Sequence, residues 1–317
     1  MSDVSLLRIT GVVGAGTMGV GIAALHLSAG RAVILVDPDS AVREKARRGI
    51  GAILGDRARA AAMGGLTIAA DATVLSGAEL VIEAVPEVLP LKHAIYRQLF
   101  DVVGPHCVVA SNTSSIPPDQ LAQHLSDGEA GRFAIAHYWH PPHCLPLVEI
   151  VPGKRTEAAT IRRLRTVIAE TGSHPVTLAR AVPGFIGNRI QFAVLREALH
   201  LLESGVADAA TIDEVVRFSL GRRYAVSGPI EAADLGGLQT FQQIAALLLP
   251  KLAHGMEGLA ALTAHVEAGE FGAATGQGFY AWPKQRRAEV AARQSAFDTG
   301  VPAFPLSRPG EAEDGES

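Results

Sequence analysis

Cysteine is scarce in this chain. The two present, Cys107 and Cys144, are too few for a disulfide framework and have no CxxC spacing. Aromatic residues make up only 5% of the 317, and basic residues never gather into a long run, which argues against a nucleic-acid surface. No segment approaches about eighteen consecutive apolar residues, so no membrane span is expected. The first strand begins by about Leu6 with no charged segment before it, so no signal peptide is expected. Charged residues are 19% of the chain and the net charge is −4, of which Arg308, Glu311, Glu313, Asp314 and Glu316 contribute −3. The folded body is therefore near neutral, and a reduced, cytoplasmic setting fits. What is plentiful is apolar content, 48%, enough for two domains with cores of their own.

Short apolar runs alternate with helical stretches over the first half. Ile9 to Val13 reads as a strand, Thr17 to Ser28 as a helix stopped near Gly30, and Ala32 to Val36 as a second strand. Leu80 to Val85, Cys107 to Ser111, Phe133 to His137, Leu147 to Val151 and Pro175 to Leu178 read as further strands. Helices are expected from Pro90 to Phe100 and from Glu157 to Glu170, the second stopped at Gly172. Such alternation predicts an α/β domain with a mostly parallel sheet covered on both faces. After Pro183 the character changes. Ile186, Ile190, Val194, Leu195, Ala198, Leu201 and Leu202 fall at helical spacing. Thr211 to Glu214 resembles a capping box, and Leu238 to His254 reads as another helix. The expected division is a doubly wound domain over 1–181, a smaller all-α domain over 182–295 and a disordered tail over 296–317.

Gly14-Ala-Gly16-Thr17-Met18-Gly19 fits GxGxxG between a strand and a helix. In this pattern the first glycine makes a tight turn, the second admits a pyrophosphate and the third lets helix and strand pack closely. Alone the pattern is weak. Here a strand precedes it, a helix follows it, and Asp37 ends the next strand. A carboxylate there accepts hydrogen bonds from ribose hydroxyls and repels a 2′-phosphate, so a Rossmann domain that takes NAD rather than NADP is predicted. Arg43 lies nearby and is the feature that softens this preference. Ala84 and Val85, closing the strand that begins at Leu80, are further candidates for the cofactor wall.

The segment HYWHPPHCLPLVE, from His137 to Glu149, holds the best candidate for a base. A neutral imidazole is suited to taking a hydroxyl proton near neutral pH, and a carboxylate on its other nitrogen fixes the tautomer. A buried, merely structural histidine is the plain alternative. His137, His140, His143 and Cys144 also invite a metal, but they lie in a proline-rich strand-to-loop segment, not on a helix that would align them, with no carboxylate to complete a shell, and no metal is expected.

Seven segments together carry a resemblance. GVVGAGTMGVGIA, VIEAVPE, SNTSSIP, HYWHPPHCLPLVEIV, PGFIGNRI, GPIEAADLGGL and FGAATGQGFY occur in family order. The chain resembles the L-3-hydroxyacyl-CoA dehydrogenases and their free-acid relatives, which include L-gulonate 3-dehydrogenase with lambda-crystallin and carnitine dehydrogenase. The resemblance implies an NAD-dependent oxidoreductase that interconverts a 3-hydroxy acid, or its CoA thioester, and the 3-oxo form, and that dimerises through its helical domain. It implies His137 as base, Glu149 as the group that orients it, and Ser114 and Asn188 as contacts to the reacting oxygen. It places Glu87 and Lys92 near the nicotinamide ribose, where a solvated helix-start charge is the rival reading, above all for Lys92.

Three departures matter. His140 stands where the family usually has asparagine, which leaves open a different substrate, a tolerated variant or altered activity. Residues 40–66 are shorter than the lysine-rich excursion of the acyl-CoA enzymes, and Ala273 and Ala274 replace a usual lysine. The GRRYAVSGP segment resembles the free-acid branch, where Arg222 or Arg223 pairs with a substrate carboxylate, a surface charge being the alternative. These tilt the expectation toward a compact carboxylated substrate. A structural protein that keeps NAD without turnover is the reading from a different class. A second 3-hydroxy-acid dehydrogenase family ranks far lower, because its GxSGG loop is absent.

Overall fold

The computed structural model describes residues 8–256 and 258–300. Of the tail expected at 296–317, residues 301–317 lie outside these residues, as does the strand start expected near Leu6. The chain divides into two compact units, Met1–Arg189 and Ile190–Ser317.

The first unit runs β1 (Ile9–Val13), α1 (Thr17–Ser28), β2 (Ala32–Val36), α2 (Ser40–Gly64), β3 (Leu66–Ala69), β4 (Leu80–Glu83), α3 (Leu89–Val102), β5 (Val108–Ser111), α4 (Pro118–Leu121), α5 (Asp127–Gly131), β6 (Phe133–Tyr138), β7 (Leu147–Pro152), α6 (Ala158–Glu170) and β8 (His174–Thr177). The eight strands form one sheet in the order β3-β2-β1-β4-β5-β6-β7-β8. All pairs are parallel except β6 with β7. The central strands are continuous apolar runs because both faces are covered. One face packs Ile22, Leu27, Ile50 and Leu164 from α1, α2 and α6 against Val12, Leu35 and Ile82. The other packs Tyr96 and Leu99 of α3 and Leu121 of α4 against Val81, Val109 and Ile135.

Two features of this unit go beyond the sequence reading. The stretch after β2 is one long helix broken at Gly55, where φ of 64° takes the chain out of the helical region. It is followed by the edge strand β3, four residues of which only Leu66 is buried. A strand so short and half-exposed leaves almost no periodic signal.

The second unit is helical. The chain continues through α7 (Gly187–Glu203), α8 (Ala209–Phe218), α9 (Leu220–Tyr224), α10 (Pro229–Gly236), α11 (Leu238–Leu248), α12 (Leu259–Glu267) and α13 (Lys284–Gly300). The capping box expected at Thr211 is corrected. Asp208 is the cap, and its carboxylate accepts the Thr211 N–H at 2.8 Å. The helix expected to reach His254 ends at Leu248 and tightens into a 3₁₀ turn over Leu249–Lys251, since Pro250 has no N–H for another α-turn. Helix α13 reaches Gly300, so the backbone at 296–300 is helical and not part of a tail.

Candidate active site

Strands β1, β4, β5 and β6 are parallel, so their C-terminal ends share one edge of the sheet. The strand order reverses between β1 and β4, and the crevice outside such a switch point is where α/β sheets bind ligands. The glycine turn sits there. Gly14 has φ +99°, and a Cβ on it would lie 2.7 Å from the Ala84 carbonyl oxygen, so Ala84 and Val85 form the wall opposite the turn. A Cβ on Gly19 would lie 1.8 Å from the Gly14 carbonyl oxygen. Gly16 is the N-cap of α1, makes no side-chain cap and has open space where its Cβ would be. Thr17 and Met18 open the helix, Thr17 exposed and Met18 packed against the core.

Asp37 follows β2 at the same edge. Its Oδ2 accepts the Ala15 N–H at 2.9 Å and its Oδ1 the Asp39 N–H at 3.0 Å, which fixes the carboxylate beside the glycine turn. The Arg43 guanidinium donates to the carbonyls of Asp37 and Pro38, at 2.7 and 2.8 Å. It is thereby committed to the backbone.

A buried carboxylate organises the neighbouring loops. Glu83, at the end of β4, is fully buried and accepts from Lys92 Nζ at 2.7 Å, Ser111 Oγ at 2.7 Å, Tyr96 Oη at 2.5 Å and the Val85 N–H at 2.8 Å. Burial pushes the Tyr96 phenol well above its usual range, and the Glu83 charge adds to this. Lys92 is 1% exposed, which rules out a solvated helix-start charge. Its ammonium also reaches Glu87 at 3.3 Å. Glu87 in turn gathers the loop after β5: it accepts from the Thr113 hydroxyl, the Ser115 hydroxyl at 2.8 Å and the N–H groups of Ser114 and Ser115 at 3.1 and 3.2 Å. Half-burial pushes the Glu87 carboxyl up, but those hydroxyls and Lys92 outweigh it and hold it below the usual carboxylate value. Ser114 is left with its side chain exposed on this anchored loop.

Period-two alternation along β6 aims Ala134, Ala136 and Tyr138 at one core and Phe133, Ile135 and His137 at the other face. Strand β7 runs antiparallel to β6, and His137 and Glu149 are directly opposite each other. Side chains at such positions share a face at close range. His137 Nδ1 and Glu149 Oε2 are 3.0 Å apart, with both residues buried. The imidazole also lies against Phe185, with ring centroids 5.3 Å apart. Glu149 Oε1 accepts the N–H groups of Ile186 and Gly187 at 2.9 and 3.1 Å, at the start of α7. Burial alone would raise the Glu149 carboxyl, but donation from His137, Gly187, Ile186 and Trp139 keeps it below its usual value. Asn188 is half-buried in the first turn of α7.

The remaining candidates fall elsewhere. His140 and His143 are exposed in the loop after β6, while His137 is buried. Pro142 of that loop packs on α1, where a Cβ on Gly21 would lie 2.6 Å from its Cγ. Among the described residues, no three of His, Cys, Asp and Glu are grouped to hold a metal ion. Arg222 and Arg223 are exposed on α9, in the second unit.

Residues 9–181 match the NAD binding domain of 3-hydroxyacyl-CoA dehydrogenase, and residues 184–282 match its C-terminal domain. The chain belongs to the 3-hydroxyacyl-CoA dehydrogenase family. It is 33% identical over 296 residues to a 5-formyl-3-hydroxy-2-methylpyridine 4-carboxylate 5-dehydrogenase of Mesorhizobium japonicum, covering 91% of this chain and 95% of the relative. It is 37% identical over 240 residues to an L-carnitine dehydrogenase of Streptomyces griseus, covering 73% of this chain and 70% of that one. Among solved structures, an FHMPC 5-dehydrogenase described as an NAD+ dependent dismutase superposes with a TM-score of 0.84 at 32% identity, over 93% of this chain and 97% of that chain. The (S)-3-hydroxybutyryl-CoA dehydrogenase of Ralstonia eutropha superposes at 0.70 with 31% identity, over 87% and 99%.

This family member is an NAD-dependent oxidoreductase. The residues present fit the cofactor. The α1 N-terminus is uncapped with open space above Gly16, which suits a diphosphate, and Asp37 is held beside the glycine turn, a carboxylate of the kind that accepts from ribose hydroxyls. Glu83, Thr113 and Trp139 complete the first unit's polar framework and were not singled out from the sequence. Glu83 had one signal, a carboxylate closing the apolar run LVIE. Such a charge must find a partner if the strand is buried.

Proposed function

We propose that this chain oxidises a compact carboxylated alcohol, a 3-hydroxy acid or a close analogue, with His137 as the base. The observation that carries this is the buried His137–Glu149 pair at the C-terminal edge of the sheet. When bound, NAD supplies the hydride acceptor. A secondary alcohol releases hydride only as its hydroxyl proton is taken, and Nε2 of His137 is the atom left to take it, since Nδ1 is engaged by Glu149. The charge of Glu149 then stabilises the imidazolium. Ser114 and Asn188 are assigned to hold the reacting oxygen. Asp37, Gly16 and the α1 N-terminus are assigned to hold the dinucleotide, with Glu87 and Lys92 on the side of the Ser114 loop.

The carboxylated substrate is supported by two relatives whose names specify small charged molecules, a pyridine carboxylate and L-carnitine. The same base would serve an aldehyde, whose hydrate carries the hydroxyl that alcohol oxidation needs. A homodimer built on the helical unit fits the apolar side chains exposed there, and we assign it to the cytoplasm.

The test is a substrate panel with NAD: 3-hydroxybutyryl-CoA, L-gulonate, L-carnitine and an aromatic aldehyde carboxylate. His137→Gln should lower kcat on the best substrate by roughly 10²–10⁴-fold with NAD binding unchanged. Turnover confined to the CoA thioester would overturn the compact-acid reading. Full activity in the variant would overturn the role of His137.

A further inference from the structure

Glu149 accepts four donors, and one of them is not needed to hold the histidine. Oε1 takes the two backbone N–H groups at the start of α7. Oε2 takes His137 Nδ1 at 3.0 Å and the indole N–H of Trp139 at 3.3 Å. Trp139 follows the last residue of β6, two places beyond His137 and so on the same side of the strand. Its ring centroid is 6.2 Å from that of His137. The ring occupies space that a neighbouring glycine leaves open: a Cβ on Gly187 would lie 2.1 Å from Cζ2 and 2.9 Å from Cε2. Any larger residue at 187 would push the indole off the carboxylate. The hydrogen bond and the fitted ring are separate observations, and both fix the indole against Glu149.

We propose that Trp139 is a positioning residue for the base, sharing Glu149 Oε2 with His137 and so weakening the hold of that carboxylate on the imidazolium. The proposal rests on the reading of His137 as base. A donor on a carboxylate stabilises its charge and makes it a poorer acceptor for a second donor. With Trp139 in place, the imidazolium gains less from Glu149. Glu149, from β7, is the ionisable side chain hydrogen-bonded to His137; Trp139 from the end of β6 and Phe185 ahead of α7 are uncharged.

Two substitutions separate the parts. Trp139→Phe keeps a ring and removes the N–H. Gly187→Ala keeps the N–H and displaces the ring. The primary readout is the NMR titration of ¹³C-labelled histidine in the cofactor-free protein, with the His137 signal assigned by its loss in His137→Gln. The midpoint should rise by about half a pH unit in Trp139→Phe, the scale of one weak charge-assisted hydrogen bond. Gly187→Ala should shift it the same way. The acidic limb of kcat/KM should move with it. A His137 midpoint within about 0.1 unit of wild type in a folded Trp139→Phe protein overturns the proposal, whatever Gly187→Ala does. A shifted midpoint with an unmoved rate profile supports the coupling through Glu149 and overturns His137 as the base instead.

Discussion

The two units of this chain solve burial in different ways. In the first, charged and polar groups are taken inside and each is partnered: Glu83 with Lys92, Tyr96 and Ser111, Glu149 with His137, and His26 with Thr10 and Tyr138. In the second, apolar groups are left outside. Helices α8, α9, α11 and α12 contain no buried residue, and Phe241, Ile244 and Leu248 form an exposed stripe at helical spacing along α11. The first unit is stabilised by what it has enclosed, and its chemistry uses the same enclosed groups. The second has apolar faces that only a further surface would cover.

The largest effect that tests this contrast is expected at Lys92. Lys92→Met keeps the length of the side chain and strips the charge that Glu83 needs. Breaking a buried pair by removing one partner typically costs about 3–5 kcal/mol. Urea unfolding followed by a probe in the first unit should show a loss of that size, and weaker NAD binding should follow, because Lys92 also reaches Glu87 and Glu87 gathers the Ser114 loop. A cost below about 1 kcal/mol would mean that water reaches Glu83, against its full burial.

The second unit should respond to partners instead. Ile244→Glu with Leu248→Glu places two charges on the exposed stripe of α11. If a second copy covers that stripe, self-association measured by sedimentation should weaken by roughly 100-fold, about 2.7 kcal/mol. NAD affinity should stay within about twofold, since both substitutions lie in the second unit and the residues assigned to the dinucleotide lie in the first. Unchanged association would place the interface on other apolar groups of the unit, such as Phe218 or Ile230.

What was readable in the sequence follows the same contrast. The doubly wound sheet, the glycine turn and Asp37 depend on local patterns, alternating apolar runs and a spaced motif. The pairing of His137 with Glu149 was implied by the resemblance of the HYWHPPHCLPLVE segment, and the antiparallel register of β6 and β7 sets the two face to face. Glu83 with Lys92 was not legible as a pair, because nothing local says which way a lysine at a helix start will point. Trp139 was hidden for a similar reason, since its place depends on Gly187 from a distant segment. In the helical unit the first helix was legible from its spacing. The caps and breaks were not, as Asp208 outcompeted Thr211 and Pro250 ended α11 early. Short helices such as α9 and α10 span too few turns for periodicity to show.

The smallest effect concerns acid. His26 is fully buried in the first unit, with Nδ1 3.1 Å from the Thr10 hydroxyl and Nε2 3.3 Å from Tyr138 Oη. Burial, helped by the nearby Arg31 charge, lowers its pKa from 6.5 to about 3. The folded state therefore refuses a proton that the unfolded chain accepts below about 6.5. The sign follows: stability is full above that pH and falls as pH drops through the window down to about 3. By pH 5 this one group should remove about 2 kcal/mol relative to pH 7.5, from 1.36 kcal/mol per pH unit. His26→Gln keeps a hydrogen-bonding side chain that cannot titrate, so it should flatten this decline even if it lowers stability at pH 7.5. Urea midpoints at the two pH values decide it. An equally steep decline in the variant would shift the acid sensitivity to the carboxylates, and Glu149 would be the first to examine, since its lowered pKa gives a loss of the same sign at lower pH.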